Sequence, residues 1–168
     1  MVRALTGVEF VRPTEADYDA LITIVDEWWS GRPVRRLLPR LWLRHFAGWS
    51  WLARVNGDRL VGFAIGFLSP GLPGTAALHL LGVDPNHRRR GIGRDLGRRL
   101  ADDAAAAGAD RIEMVIPTGD QVALGFLRAI GFAVVADPDL RPIHGTPAHA
   151  DYDGPGEDRI VLARVLVP

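Results

Sequence analysis

Residues 78–100, LHLLGVDPNHRRRGIGRDLGRRL, constrain the fold of this chain more than any other stretch. An apolar run reads as a buried strand, an arginine-rich turn with Gly91 and Gly93 follows, and an amphipathic helix begins after it. Such a helix start presents unpaired backbone N–H groups and the positive end of its dipole, and glycine lets an anion approach the backbone closely. Arg88, Arg89 and Arg90 stand beside it, and a planar guanidinium grips phosphate oxygens in pairs. The stretch predicts an anion site suited to a ligand with several phosphate charges.

The rest of the chain is read around that turn. Ile92, Leu96, Leu100, Ala104 and Ala107 recur at helical spacing up to Gly108, a residue suited to a left-handed helix end. Residues 111–116 alternate, with Ile112, Met114 and Ile116 on one face, so strand, turn, helix and strand make a βαβ unit with a parallel strand pair. Upstream, residues 49–55 and 59–68 are strand-like runs around Asn56-Gly57-Asp58, a strong hairpin signal that predicts an antiparallel pair. Residues 9–12 read as a first strand, and Thr14 as the cap of a helix over 16–28 with Leu21, Ile24, Val25 and Trp28 on one face.

In residues 34–46 the apolar Leu37, Leu38, Leu41, Leu43 and Phe46 mix with Arg35, Arg36, Arg40 and Arg44, Trp42 is an anchor, and Pro39 argues against one uninterrupted helix. A Gly/Pro-rich loop at 70–75 leads into the strand at 77–83. Downstream, Thr118 or Asp120 is placed to cap a helix over 121–130 with an apolar stripe of Val122, Ala123, Phe126, Leu127 and Ile130, ending at Gly131. Residues 132–135 start another strand, 137–158 form a loop, and 159–167 a closing strand. These elements predict an α/β (α+β) fold with a mixed sheet, antiparallel at the hairpin and parallel in the βαβ unit, flanked by helices.

The length of 168 residues fits one domain, residues 1–168. A formal net charge of zero gives no global reason to expect nucleic acid or a membrane surface as partner, and the arginines of 34–46 read as a solvated face. No apolar run approaches the ~20 residues that span a bilayer, and residues 1–10 lack the pattern of a signal peptide, so a cytoplasmic location is expected. The absence of cysteine removes disulfides, thiolate metal sites and a cysteine nucleophile. All 20 basic residues are arginine, which excludes a Schiff-base lysine and a Walker-type phosphate loop. None of Ser30, Ser50 and Ser69 lies in a G-x-S-x-G turn.

The run Val83-Asp84-Pro85-x-x-Arg88-x-x-Gly91-x-Gly93 resembles the acyl-CoA signature of the GNAT superfamily of N-acetyltransferases. A second element of that superfamily is matched by Asp120-x-x-Ala123-x-x-Phe126-Leu127-x-x-x-Gly131-Phe132, and residues 151–159 resemble the C-terminal loop of a bacterial subgroup. The resemblance implies the GNAT-like acyl-CoA N-acyltransferase fold, a twisted, mixed, mostly antiparallel sheet flanked by helices with one central parallel strand pair opening into a cofactor cleft, and an acetyl-CoA-dependent N-acetyltransferase. The backbone of Leu81, Gly82 and Val83 would line the pantetheine arm, and Arg88, Arg89, Arg90, Gly91, Ile92, Gly93 and Arg94 would cradle the pyrophosphate. Asp120 and Phe126 would serve the cofactor from the second element. Its partners would be acetyl-CoA and a primary amine on a small molecule, peptide or protein, with no metal, and it allows a homodimer. A dinucleotide fingerprint built from Gly91, Gly93 and Gly97 with Glu113 is the chief rival, but the turn follows an antiparallel hairpin and leaves too little chain for a second half.

Direct attack of an amine on a thioester needs a neutral amine, a polarised carbonyl and a protonated leaving thiolate. A backbone N–H near Gly82, where the chain is expected to be accessible, suits the second need. His79 shares a strand face with Ala77, Leu81 and Val83 and is the candidate base, or equally a rim histidine satisfied by one hydrogen bond. The family's frequent glutamate falls at Ala77 and its frequent tyrosine at Leu127, so Tyr152 is the remaining candidate acid. The acids Asp137, Asp139, Asp151, Asp153, Glu157 and Asp158 attract a cationic acceptor or simply form turns. His144 and His149 lie on an irregular segment, and no metal is expected there. The alternative to an enzyme is a module that keeps the acyl-CoA turn without catalysis.

Overall fold

The computed structural model describes residues 7–166. Its strands are β1 (Val8–Val11), β2 (Trp51–Val55), β3 (Arg59–Leu68), β4 (Thr75–Val83), β5 (Arg111–Pro117), β6 (Ala133–Val134), β7 (Arg141–Ile143), β8 (Thr146–Ala148) and β9 (Arg159–Val165), and its helices are α1 (Tyr18–Trp28), α2 (Leu41–His45), α3 (Ile92–Ala106) and α4 (Gln121–Ala129). Hydrogen bonding gives the strand order β1-β2-β3-β4-β5-β9-β6, with β7-β8 as a separate pair. Residues 7–68 with 78–103 form one unit, and residues 69–77 with 104–166 form another.

In the first unit β1 and β2 pair antiparallel from Val8↔Val55 to Val11↔Leu52, and β2 and β3 pair antiparallel through the predicted hairpin. Asn56 and Gly57 take φ of +51° and +86°, the left-handed geometry that suits a tight hairpin to the twist of its strands. Leu21, Val25 and Trp28 of α1 are buried with Leu38, Leu43, Leu52, Phe63, Ile65 and Leu80, while Ile24 packs partly buried against them. The start of α1 falls two residues later than the spacing predicts. Glu15–Asp17 form a 3₁₀ turn, in which Thr14 donates from its backbone N–H (2.7 Å) and hydroxyl (3.1 Å) to Asp17 Oδ2. Pro39 divides residues 34–46 as expected, into a 3₁₀ turn at Val34–Leu37 and the short α2.

Helix α3 buries Ile92, Leu96 and Leu100 completely. Gly62 on β3 makes this seat possible, because a Cβ there would lie 3.0 Å from both Ile92 Cγ2 and Leu96 Cδ1. The helix ends at Ala106 and Gly108 follows at φ +82°, so Ala107, expected on the buried stripe, lies past the end and is exposed.

In the second unit the N-terminal end of β4 pairs parallel with β5, from Thr75↔Arg111 to Ala77↔Glu113. Strand β5 is antiparallel to β9 along its length, and β6 pairs antiparallel with β9. Ile112, Met114 and Ile116 are buried, as their alternation predicts. The carboxylate of Asp120 caps α4 by accepting the Ala123 N–H at 3.0 Å.

Two expectations are corrected in this unit. Val122 is 79% exposed, and the buried positions of α4 are Leu124 and Leu127; at 100° per residue, position 122 lies about 200° from position 124. Residues 137–158 are more than a loop, because β7 and β8 form an antiparallel hairpin whose corner residues His144 and Gly145 take φ of +49° and +76°. The closing strand ends at Val165, and position 167 of the expected strand lies outside the described residues. Among the described residues no helix is long and apolar enough to cross a membrane.

Candidate active site

Strand alternation sorts β4 into two faces. Ala76, Leu78, Leu80 and Gly82 are buried, while Ala77, His79, Leu81 and Val83 are half-buried on the other side. Gly82 also answers a steric need on the buried face. A Cβ there would sit 2.6 Å from Trp29 Cη2 and 2.7 Å from Phe63 Cε1, so glycine is required because two aromatic rings pack against its Cα.

Past β4 the chain is shaped by Asp84, which is 6% exposed. Its carboxylate accepts the Asn86 N–H at 2.9 Å and a proton-bearing His87 Nδ1 at 2.9 Å, and lies 3.4 Å from Arg59 Nη2. Burial pushes this carboxyl up, but the bonds from Asn86 and His87 and the charges of His87 and Arg59 outweigh it and hold it below the usual carboxylate range. A 3₁₀ turn over Pro85–His87 results.

The three arginines then part company. Arg88 donates from Nε to the Val83 carbonyl (3.1 Å) and from Nη2 to the Trp28 carbonyl (2.7 Å), and Arg90 donates to the Asn86 carbonyl (3.3 Å). Arg89 takes φ +63° and is exposed, and its guanidinium, like that of Arg94, meets no partner among the described residues. Gly91, at φ +93°, has open space where a side chain would be, and α3 begins at the next residue with its first N–H groups unpaired by the helix. A positive-φ turn, a helix start and two uncommitted guanidinium groups fit a ligand bearing several phosphate charges.

On the half-buried face of the same strand, His79 donates from Nε2 to the Leu37 carbonyl at 2.7 Å. Its ring stacks on Trp42, with centroids 4.0 Å apart and planes 14° from parallel. Trp42 in turn packs on Phe46 and Phe67. Burial moves the imidazole below its ordinary value, against the opposing effect of the Leu37 hydrogen bond, and favours the neutral ring that a base requires. The arginine turn and His79 thus share one unit. No sequence pattern singles out the Leu37 carbonyl, since every residue has one, and the spacing around Trp42 marks it only as an anchor.

The remaining candidates lie in the second unit. Asp120 caps α4, Phe126 is half-buried, and Leu127, at 1% exposure, is a core residue. Tyr152 is 48% exposed with its ring 5.4 Å from that of His149. The nearby acids largely serve the loop itself: Asp151 accepts the Gly156 N–H, Asp158 that of Asp151, Asp137 that of Asp139, and Asp153 and Glu157 pair with Arg159. Among the described residues no group of three or more His, Asp or Glu is arranged to hold a metal ion.

The family model described as the acetyltransferase (GNAT) family matches residues 17–132. L-2,4-diaminobutyric acid acetyltransferase of Nocardia farcinica is 31% identical over 125 residues, which cover 74% of this chain and 64% of that protein. N-alpha-acetyltransferase RimI of Mycobacterium tuberculosis is 35% identical over 118 residues, covering 70% of this chain and 69% of that protein. Mycothiol acetyltransferase of Beutenbergia cavernae is 34% identical over 86 residues, 51% of this chain and 29% of that protein. The chain therefore spans less than two thirds of the diaminobutyrate and mycothiol enzymes. Among solved structures, PaiA N-acetyltransferase from Thermoplasma acidophilum, in complex with coenzyme A, superposes with a TM-score of 0.71 at 15% identity, covering 95% of this chain and 99% of that one. The ribosomal-protein-S18-alanine N-acetyltransferase from Escherichia coli does so with a TM-score of 0.65 at 20% identity, covering 96% and 95%; both share the fold. Since the matched residues run from α1 through the arginine turn to the end of the second sequence element, the chain belongs to the acetyltransferase (GNAT) family.

Proposed function

We propose that this protein transfers the acetyl group of acetyl-CoA to a primary amine. The observation that carries the reading is the turn between β4 and α3, where Arg89 and Arg94 stand uncommitted beside Gly91 and a helix start. The pyrophosphate of acetyl-CoA would be held by Arg89, Arg90, Gly91, Ile92, Gly93 and Arg94, with Arg88 shaping the turn from behind, and the backbone of Leu81, Gly82 and Val83 would meet the pantetheine arm.

Acetyl-CoA supplies a thioester at which a C–N bond to the amine forms as the C–S bond breaks. An amine arrives at neutral pH as an ammonium and must lose a proton to become a nucleophile. His79, held neutral, takes that proton; the second N–H proton ends on the departing thiolate, and the proton on His79 returns to solvent. Leu127 cannot donate a proton to the leaving group, so solvent does, and a thiol pKa near ~8.5 makes the demand small.

The names of the relatives support an amine on a small amino acid or at a peptide N-terminus as acceptor. A screen of such amines with acetyl-CoA, following thiol release, tests the reading, and a protein without cysteine adds no thiol background. Turnover on at least one amine is expected. Thermal stabilisation by NADP and none by coenzyme A would overturn the assignment.

A further inference from the structure

The segment that covers His79 is clasped to α1 at two points. The Asp26 carboxylate accepts the Arg35 N–H at 2.7 Å through Oδ1 and pairs with the Arg35 guanidinium through Oδ2, while Arg40 reaches Asp19 at 2.6 Å and lies over the Tyr18 ring. Between those points stands Leu37, a residue 51% exposed although its carbonyl is engaged by His79. A carbonyl oxygen only accepts, so the hydrogen of a neutral His79 is on Nε2 and its lone pair is on Nδ1. No described residue bonds Nδ1.

We infer that Trp42 and the Leu37 carbonyl are positioning groups that hold His79 as the Nε2–H tautomer, making Nδ1 the atom that receives the acceptor's proton, and that the Asp26–Arg35 clasp keeps the carbonyl in place. The inference rests on the acetyltransferase reading and names the proton-accepting atom of that site. The Trp42 face, 4.0 Å away, fixes the ring plane, and the hydrogen bond fixes its rotation about that plane's normal. An ammonium N–H hydrogen-bonded to Nδ1 passes its proton to it, leaving the nitrogen lone pair for the new C–N bond and an imidazolium still anchored at Leu37. The charged groups on the surrounding elements do not favour that cation at rest. The covering segment carries Arg35, Arg36, Arg40, Arg44 and His45; the acids of α1, Asp19 and Asp26, are paired to Arg40 and Arg35, leaving Glu27 there; β4 has no other ionisable residue, Arg59, the one in β3, bonds Asp84, and in β5, paired with the start of β4, Glu113 is paired to Arg111 at 3.0 Å.

Nitrogen NMR of the protein labelled with ¹⁵N-histidine reads this directly, with His79→Gln identifying one signal among five histidines. In the unaltered protein at neutral pH the expected pattern is a protonated Nε2 and a lone-pair Nδ1, with a titration midpoint below the ordinary ~6.5. Trp42→Leu is expected to mix the two tautomers and, by uncovering the ring, to raise the midpoint; Asp26→Asn, which loosens the Leu37 carbonyl whose hydrogen bond opposes the lowering, is expected to mix the tautomers and lower the midpoint further; Trp42→Phe, which keeps a stacking face, is expected to preserve both. With an active amine in hand, the acidic limb of kcat/KM should move with the NMR midpoint across these variants. A predominant Nδ1–H tautomer in the unaltered protein, a reading that needs no variant to fold, overturns the inference. So does a midpoint and tautomer unmoved by both Trp42→Leu and Asp26→Asn. The NMR measurement needs neither acetyl-CoA nor acceptor, so a failed amine screen overturns the acetyltransferase reading separately.

Discussion

The guanidinium of Arg88 reaches the main-chain carbonyl of Trp28 at 2.7 Å, sixty residues away, while its Nε holds the Val83 carbonyl at 3.1 Å. One side chain thereby joins the C-terminus of α1 to the end of β4. The last carbonyls of a helix lack intrahelical partners and sit at the negative end of its dipole, so a cationic donor suits them. Arg88, Arg89 and Arg90 are identical in sequence and distinct in work.

That division predicts opposite phenotypes for neighbouring arginines. Arg88→Ala removes two hydrogen bonds from a charged donor and should lower stability by about 1.5–3 kcal/mol in urea unfolding. Arg88→Lys should recover little of it, because an ammonium lacks the planar fork. Arg89→Ala should change stability by less than about 0.5 kcal/mol yet weaken acetyl-CoA binding measured calorimetrically. Equal effects of both substitutions on stability would contradict the division.

Gly82 and Gly91 separate steric from conformational need. Gly82→Ala forces a methyl into Trp29 and Phe63 and should cost about 1–3 kcal/mol, with altered tryptophan fluorescence. Gly91→Ala meets no atoms but must hold φ +93°, so it should destabilise through backbone strain of about 1–3 kcal/mol while leaving the fluorescence unchanged. A shifted spectrum in Gly91→Ala alone would reverse the reading.

What could be read in the sequence follows from how locally each feature is determined. Asn56-Gly57 dictates its own backbone, Pro39 stops a helix by itself, and Ile112, Met114 and Ile116 declare a strand face by alternation, and all three are as expected. The β7–β8 hairpin leaves no pattern in the sequence because its strands are three residues each and one reads Arg-Pro-Ile, too short for alternation to register. On α4, Val122 and Leu124 are both apolar, and only the packing decides which faces inward. The need for glycine at position 82 is not visible locally, because the rings packed on its Cα come from α1's end and β3. The hold on His79 comes from a backbone carbonyl forty-two positions earlier, which no side-chain pattern encodes.

Asp84 should give the turn a pH dependence at the acid end. Its folded value is depressed, so its contribution is complete above the unfolded value of ~3.9 and is lost as pH falls through the lower folded value. Asp84→Asn should therefore be less stable than the unaltered protein at pH 7, by about 1.5–3 kcal/mol, and the gap should close below the carboxylate range. Urea unfolding from pH 2.5 to 7 measures this; a gap independent of pH would assign the loss to packing instead of charge.

His79 should act in a separate window and with the same sign. Burial lowers its folded value, so between that value and the ordinary ~6.5 the unfolded chain binds a proton that the folded chain does not, and stability falls as pH is lowered. The contribution is fully present above ~6.5 and is lost as pH drops towards the folded value, with a slope no steeper than about 1.4 kcal/mol per pH unit for one proton. His79→Gln carries an amide N–H that can still reach the Leu37 carbonyl but takes up no proton, so it should abolish this slope and leave the Asp84 limb intact. Chemical denaturation of both proteins from pH 4.5 to 8 is the check. Parallel curves through this range would mean that His79 is not held neutral, which would also remove its qualification as the base.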